Sequence, residues 1–393
     1  MQKKIIALAV AGLVSGAAFA QSNVVIYGVA DMGYVYADDF AGTTQAAKDT
    51  KAISKMYSGG QSGSRLGFKG TEDLGNGLAA NFRLESGLNM DNGGAAQNGS
   101  TFSRWATVGL SGKNWGEVQF GRRDTLSDEI MGGLDTNGRV TVAQVSPVMK
   151  NVARWDNMAT YISPNMGGLV LKAAVSTNVS DGHAAAPVGA NYKSEVNAAP
   201  CAAGPQCTDL RKTNVYGYAV SARYDNGPIK LGASYDYYDP QNVDNSNFDT
   251  FNQWTVAGRY DFGVVQLALQ YGEINYGKNT VSSLSGASGV PYALADGDVD
   301  KRTQWTAGVM IPVSARARIA VAYAYGEDQF NTTRKDEDQS MWGISAFYDL
   351  SKRTNLYAAY GDISQDQDNK YTVGIDGQDK YQKAFQVGVR HMF

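Results

Sequence analysis

Histidine and cysteine are nearly missing from this 393-residue chain, which has two of each. So little histidine leaves scant material for zinc hydrolysis or for His-based acid–base chemistry. Proline is also sparse, at 9 residues, and with aromatics at 11% the composition is unlike that of a disordered chain. Charged residues make up only 19% of the chain. A formal net charge of −3 and a pI near 5.5 give no electrostatic footprint for nucleic acid. Beyond the first twenty residues no apolar run approaches the ~20 residues that a membrane helix needs, and mean hydropathy is −0.32, which excludes a helical membrane protein. What is plentiful is glycine (45), tyrosine (23) and phenylalanine (13). Large β-barrels have this composition and run long as single domains.

The first residues carry an address. Lys3 and Lys4 precede an apolar stretch from Ile5 to Val14, and small residues then lead to Ala18-Phe19-Ala20. A charged n-region, an apolar h-region and an A-x-A site predict a secretory signal peptide over residues 1–20, cleaved after Ala20, and an exported domain over 21–393.

Alternation with period two recurs throughout that domain, as strands require. Ile229, Leu231, Ala233, Tyr235 and Tyr237 alternate with Lys230, Gly232, Ser234 and Asp236. Val265, Leu267, Leu269 and Tyr271 form a second apolar row, Trp305, Ala307, Val309 and Ile311 a third, and Phe385, Val387 and Val389 a fourth. Sixteen candidate strands begin near residues 23, 61, 78, 102, 117, 155, 168, 213, 229, 252, 264, 303, 317, 340, 354 and 384. Their connectors alternate between long and short. Long ones fall at 38–60, 89–101, 124–154, 178–212, 239–251, 272–302, 327–339 and 361–383, and the short ones include Asp73 to Gly77 and Asp261 to Gly263. A soluble sandwich has no reason to sort loop length by end. An outer-membrane barrel does, with short turns inside and longer loops outside. Aromatics gather at the ends of the apolar rows: Tyr235, Tyr237, Tyr271, Tyr323 and Tyr325 at the long-loop ends, Tyr260, Phe262, Tyr348 and Phe393 at the turn ends. Such girdles mark the two interfaces of a membrane barrel.

Particular segments then carry a family resemblance. They are Val25-Ile26-Tyr27-Gly28-Val29-Ala30-Asp31, the run from Ser64 to Gly77, Val108-Gly109-Leu110-Ser111, Gly116 to Arg122, Leu350 to Tyr357, and the ending Val387-Gly388-Val389-Arg390-His391-Met392-Phe393. At these relative positions they resemble the trimeric general-diffusion porins of the Gram-negative outer membrane, in their β-proteobacterial branch. The resemblance implies an all-β fold, a 16-stranded antiparallel transmembrane β-barrel narrowed by an inward-folded constriction loop. It also implies a homotrimer seated in outer-membrane lipid and lipopolysaccharide, with passive diffusion of ions and small hydrophilic solutes. No cofactor, no enzymatic activity and no nucleic-acid partner are expected. The terminal Phe393, with apolar residues at every second position before it, looks like the signal read by the outer-membrane assembly machinery.

One long connector is unlike the others. Residues 124–154 hold Ile130, Met131, Leu134, Val140, Val142, Ala143, Val145, Val148 and Met149, which outside the barrel would form an exposed apolar patch. Folded into the lumen, they can pack on the inner wall, and the family places its constriction loop at this point of the chain. Candidate constriction residues are therefore the loop acids Asp128, Glu129 and Asp135, the loop cation Arg139, the flanking Arg123 and Arg154, and Arg65 and Arg83 on the facing wall. Basic residues outnumber acidic ones among the inward alternates, which predicts weak to moderate anion selectivity.

Three further signals stand in the sequence. Cys201 and Cys207, close together in the 178–212 connector of an exported chain, read as a disulfide, while a metal pair lacks partners nearby. Asp296, Asp298 and Asp300 start like a calcium loop but lack its glycine and closing glutamate. Of the two histidines, His183 falls in a loop and His391 shares parity with lipid-facing residues, so a barrel hydrolase has no base in place. A substrate-specific channel for a sugar or anion is the other alternative, with Tyr27, Trp105 and Tyr357 as the notable inward aromatics.

Overall fold

The computed structural model describes residues 23–40, 52–96, 100–136, 142–145, 148–179, 215–240, 249–276, 299–330, 336–365, 373–374 and 380–393. The leader, Arg139, Cys201, Cys207, His183, Asp296 and Asp298 lie outside them.

The strands are β1 (Asn23–Phe40), β2 (Ile53–Ser58), β3 (Arg65–Gly75), β4 (Leu78–Gly87), β5 (Trp105–Gly112), β6 (Gly116–Asp124), β7 (Arg154–Ile162), β8 (Leu169–Ser176) and β9 (Val215–Asn226). They continue as β10 (Ile229–Pro240), β11 (Phe251–Asp261), β12 (Gln266–Asn275), β13 (Val299–Pro312), β14 (Ala317–Phe330), β15 (Glu337–Asp349), β16 (Thr354–Gln365), β17 (Val373–Gly374) and β18 (Lys380–Met392). Neighbours in sequence pair antiparallel, and β1 pairs β18 to close the cylinder. The barrel has sixteen strands. β2 and β3 count as one of them, because β2 pairs the upper part of β1 (Met32 to Ala37) and β3 its lower part (Asn23 to Val29). β17 is a two-residue addition beside β18. The second barrel strand thus begins at Ile53, earlier than its sequence suggests, and is interrupted over residues 59–64.

Alternation decides the two faces. On β10, Leu231, Ala233 and Tyr235 are exposed on the outside while Gly232, Ser234 and Asp236 are buried within. Trp254 packs against Tyr271, Trp305 against Tyr323, and Trp342 against Tyr360 at the long-loop end of the outer wall, adding tryptophans to the upper aromatic girdle. Tyr260 and Phe262 pack together at the turn end. The turns follow backbone chemistry. Between β3 and β4 the chain reverses over Asn76 and Gly77, both at positive φ (55° and 77°), the conformation that Asn-Gly adopts most readily in a two-residue hairpin. The seam is sealed at the end of the chain: Gly28 and Phe393 exchange backbone hydrogen bonds (3.0 and 3.2 Å), and the Phe393 ring lies where a Gly28 side chain would otherwise stand.

The apolar connector between β6 and β7 enters the lumen. It opens with helix α1 (Leu126–Leu134), whose N-cap Thr125 accepts a hydrogen bond from the Asp128 amide (3.1 Å). Asp128 and Glu129 fall in its first turn, where the helix dipole favours negative charge. Its apolar side holds Ile130 and Leu134 against Ala257 of β11. Beyond it, Val145, Val148 and Met149 pack with Met131, Ala322, Ala324, Met341 and Ile363, and Val142 and Ala143 reach Val35, Ala37, Ala359 and Ala384. Full burial stabilises such a side chain by about 1.5–3 kcal/mol. That offsets the ordering cost of about 1–2 kcal/mol per residue and keeps the loop inside.

Candidate functional site

The loop runs around the inner wall from β9 to β1. Polar anchors fix it at intervals. Ser127 donates to Asp236, and the Gln253 side chain donates to both Ser127 Oγ (2.6 Å) and Asp236 Oδ2 (2.7 Å). Gln270 donates to the Met131 carbonyl (3.1 Å), Arg302 to that of Val148 (2.9 Å), and Gln304 both accepts from and donates to the Lys150 backbone (2.7 Å each). Burial beside the Arg302 guanidinium pushes the Lys150 ammonium well below its ordinary pKa.

Glycines under the loop let its backbone touch the wall. A Cβ on Gly361 would stand 2.1 Å from the Val142 carbonyl oxygen, and one on Gly343 would stand 2.5 Å from that of Ala143. Gly232 lies beneath Ile130 and Gly308 beneath Thr136 in the same way. All four occupy inward alternates of their strands. Sequence parity could have marked them: an inward glycine midway along a strand has no packing reason of its own and signals close approach by another backbone.

The wall that the loop leaves open, over β3 to β5, is charged. Arg83, Arg104 and Arg65 converge on the buried carboxylate of Glu85. Arg83 Nη2 is 2.7 Å from Oε2, Arg104 Nε is 2.6 Å from Oε1, and Arg65 Nη1 is 4.0 Å from Oε1. Tyr27 donates to Glu85 (2.8 Å) and accepts from Arg83 Nε (2.8 Å). The Arg83 guanidinium lies 4.1 Å from the Trp105 ring centroid, and that of Arg123 4.8 Å from the same ring. Cations over an indole face are attracted by its quadrupole, which fixes both heads at little entropic cost. One carboxylate under three guanidiniums leaves this patch net positive. Arginine suits the place because it stays charged where water is scarce.

The other candidates are distributed around this patch. Arg123 pairs with Glu129 of α1, and Lys172 pairs with Glu129 from β8, so Glu129 ties the helix to the wall. Asp128 is buried and accepts from the Asn151 side chain (2.8 Å), bracing the two arms of the loop. Asp135 follows α1 at its C-terminal end. Arg154 closes the loop's base against Asp124 (2.9 Å). Arg65 and Arg83 are thus brought together, joined through Trp105 to Arg123 and on to Glu129. Asp128, Asp135 and Arg154 stand elsewhere on the loop and at its base. Sequence reasoning missed Arg104, which precedes β5 and so offers no alternation to read. Alternation along β4 turns Glu85 inward but shows none of its partners. His391 faces outward and bonds Thr354 Oγ1 (2.8 Å).

Comparison with known proteins identifies this closed barrel with its inward loop. A Gram-negative porin family model matches residues 7–368. The chain belongs to the Gram-negative porin family. An outer membrane porin protein of Bordetella pertussis is 32% identical over the full length of both chains, and outer membrane porin protein 32 of Delftia acidovorans is 28% identical, again over both full lengths. Among solved structures, the anion-selective porin from Comamonas acidovorans superposes with a TM-score of 0.66 at 22% identity, covering 95% of this chain and 100% of that one. This porin is therefore an outer-membrane β-barrel channel. Family and relatives point to a channel rather than an enzyme.

Proposed function

We propose that the porin passes ions and small hydrophilic solutes by passive diffusion through an eyelet between the loop and the basic wall, with a preference for anions. The observation that supports this most is the convergence of Arg65, Arg83 and Arg104 on the single carboxylate of Glu85, on the part of the wall that the loop leaves uncovered. Glu129 and the rest of the loop would form the opposite rim, Arg123 of β6 would join it to the basic wall, and Asp128, Asp135 and Arg154 would shape the loop or its base. A positive lining lowers the barrier for anions and raises it for cations. The Comamonas porin, named as anion-selective, has the same fold.

The test is the reversal potential of single channels in a potassium chloride gradient. Arg65→Gln with Arg83→Gln should move it toward cations, with a larger shift at low salt because screening weakens there. A wild-type channel that prefers potassium would refute the reading.

A sugar-specific channel would need aromatics free to stack on a solute. Tyr27 and Trp105 instead engage Arg83, which favours general diffusion. Saturable block by one sugar would reverse that choice.

The same reading includes a cleaved leader over 1–20, a Cys201–Cys207 disulfide and a homotrimer in lipid and lipopolysaccharide. The trimer seam would lie on the outward apolar positions Val24, Ile26, Leu66 and Phe68. Native mass spectrometry of the mature protein would read all three covalent and oligomeric features at once. Phe393 would act as the assembly signal, and its removal should lower the yield of inserted barrel.

A further inference from the structure

The break in the second barrel strand is an inward lip. Residues 59–64 leave the wall between β2 and β3 and fold into the lumen. Gln61 accepts from Asn355 of β16 (2.6 Å). Gly60 comes so close to the wall that a Cβ there would stand 1.8 Å from Gln386 Nε2 and 2.3 Å from Tyr357 Oη. Arg65, the first residue after the lip, donates from Nη2 to Ser62 Oγ (2.6 Å).

A single carboxylate holds this turn. Asp31 of β1 is fully buried. Its Oδ2 accepts the amides of Gln61 (2.9 Å) and Ser62 (2.6 Å), and its Oδ1 accepts the Tyr357 hydroxyl (2.8 Å). Its backbone adds three bonds: the carbonyl accepts from Gly59 N (2.9 Å) and Ser64 Oγ (3.1 Å), and the amide donates to Ser64 Oγ (3.1 Å). Tyr357 reaches Asp31 because the inward neighbours in its row are glycines. Tyr357 pairs Gly388, and Gly388 pairs Gly33. A Cβ on either glycine would stand within 2.8 Å of the Tyr357 hydroxyl.

The lip also meets the loop. Gln386, which Gly60 abuts, accepts from the Val142 amide at the loop tip (3.4 Å). Contacts therefore run unbroken from the loop tip through Gln386 to the lip, from Ser62 to Arg65, across Glu85 to Arg83, over Trp105 to Arg123, and back to α1 at Glu129. The geometry points to Asp31 as a positioning residue that pins the 59–64 lip as a second, fixed rim of the eyelet and so sets the place of Arg65. The inference rests on Arg65 lining the eyelet. Asp31 itself touches no permeating solute. It acts through the turn it holds, because a carboxylate bound by two consecutive amides fixes the backbone of a turn that glycine alone would leave free.

The test uses the full-length porin in planar bilayers and in liposome swelling with sugars of increasing size. Asp31→Ala should release the lip, raising single-channel conductance by roughly 1.5-fold and admitting larger sugars, since the narrowest section controls passage. Asp31→Asn keeps a side-chain oxygen for both amides and a polar partner for Tyr357, so it should restore wild-type conductance and size limit although it carries no charge. Tyr357→Phe removes one bond of the set and should shift both readouts in the same direction by less. It carries the test if Asp31→Ala does not assemble. Removal of a negative charge alone would move the reversal potential toward anions and leave the sugar limit in place. Asp31→Asn behaving like Asp31→Ala would overturn the positioning role. An unchanged conductance and sugar limit in both Asp31→Ala and Tyr357→Phe would also overturn it. If Arg65→Gln still shifts selectivity in that case, the eyelet reading stands and only the lip fails. If Arg65→Gln shifts nothing, the eyelet reading itself is lost.

Discussion

The two inner walls of this barrel are built from the same alternating strands and behave as opposites. From β9 round to β16, small inward residues lie beneath the loop: Gly232, Gly308, Gly343 and Gly361, with Ala257, Ala322 and Ala324 among them. That wall is smooth and is covered by the loop. On the lower part of β1 and on β3 and β4 the inward alternates include Tyr27, Arg65, Lys69 and Arg83, which stand up from the wall around the buried Glu85, and the loop does not lie on them. A closed sheet has one backbone geometry all round, so the side chains decide where a loop can lie down. Glycine on one side lets a backbone approach within contact distance. Arginine on the other holds it off and leaves an aqueous gap with a charged edge.

Changes that erase this asymmetry should have graded effects. Deleting Ile130 to Val142 would strip the smooth wall of its cover, and the largest change follows: higher conductance and passage of larger solutes, read in single channels and by liposome swelling. Unchanged conductance would mean that the loop does not narrow the pore. The outer face offers a sharper contrast. Val256→Arg places a charge on the lipid side midway along β11 and should cost about 2–4 kcal/mol in detergent-to-lipid folding titrations. Lys230→Glu on a lumen-facing alternate of β10 should leave stability nearly unchanged and alter only selectivity.

Roughening the smooth wall comes next. Gly361→Leu forces the Val142 backbone off its seat, and overpacking of this kind costs about 1–3 kcal/mol. A lower melting temperature together with noisier open-channel current is expected. The smallest effect belongs to the charged wall. Trp105→Leu removes the ring shared by Arg83 and Arg123, a contribution of about 0.5–2 kcal/mol. It should weaken anion preference slightly without touching the solute size limit.

The sequence carried a good deal of this. Alternation along Ile229 to Tyr237 predicted which residues meet lipid, since a strand has only two faces and one must be apolar throughout. Connector lengths predicted which end of the barrel bears loops. The apolar content of 124–154 predicted that this connector turns inward, because water would not tolerate it outside. Each of these is a local or additive property, readable one residue after another. The lip was not legible. In the sequence the connector 38–60 runs directly into a strand beginning near residue 61, and the inward course of residues 59–64 depends on Asp31, Asn355, Tyr357 and Gln386, which come from three other strands. Arg104 was missed for the same reason, because its meaning lies in Glu85, 19 residues away.

By itself the sequence determined the barrel, its two faces, its sorted loops and the connector bound for the lumen, because alternation and hydropathy act through the chain's nearest surroundings. Only the tertiary structure decided which charges share a carboxylate, where the loop lies down and how the second strand folds back on itself. Closing the sheet brings β1, β3, β16 and β18 together at the seam, and contacts between residues hundreds of positions apart, such as Asp31 and Tyr357, exist only once the cylinder is shut.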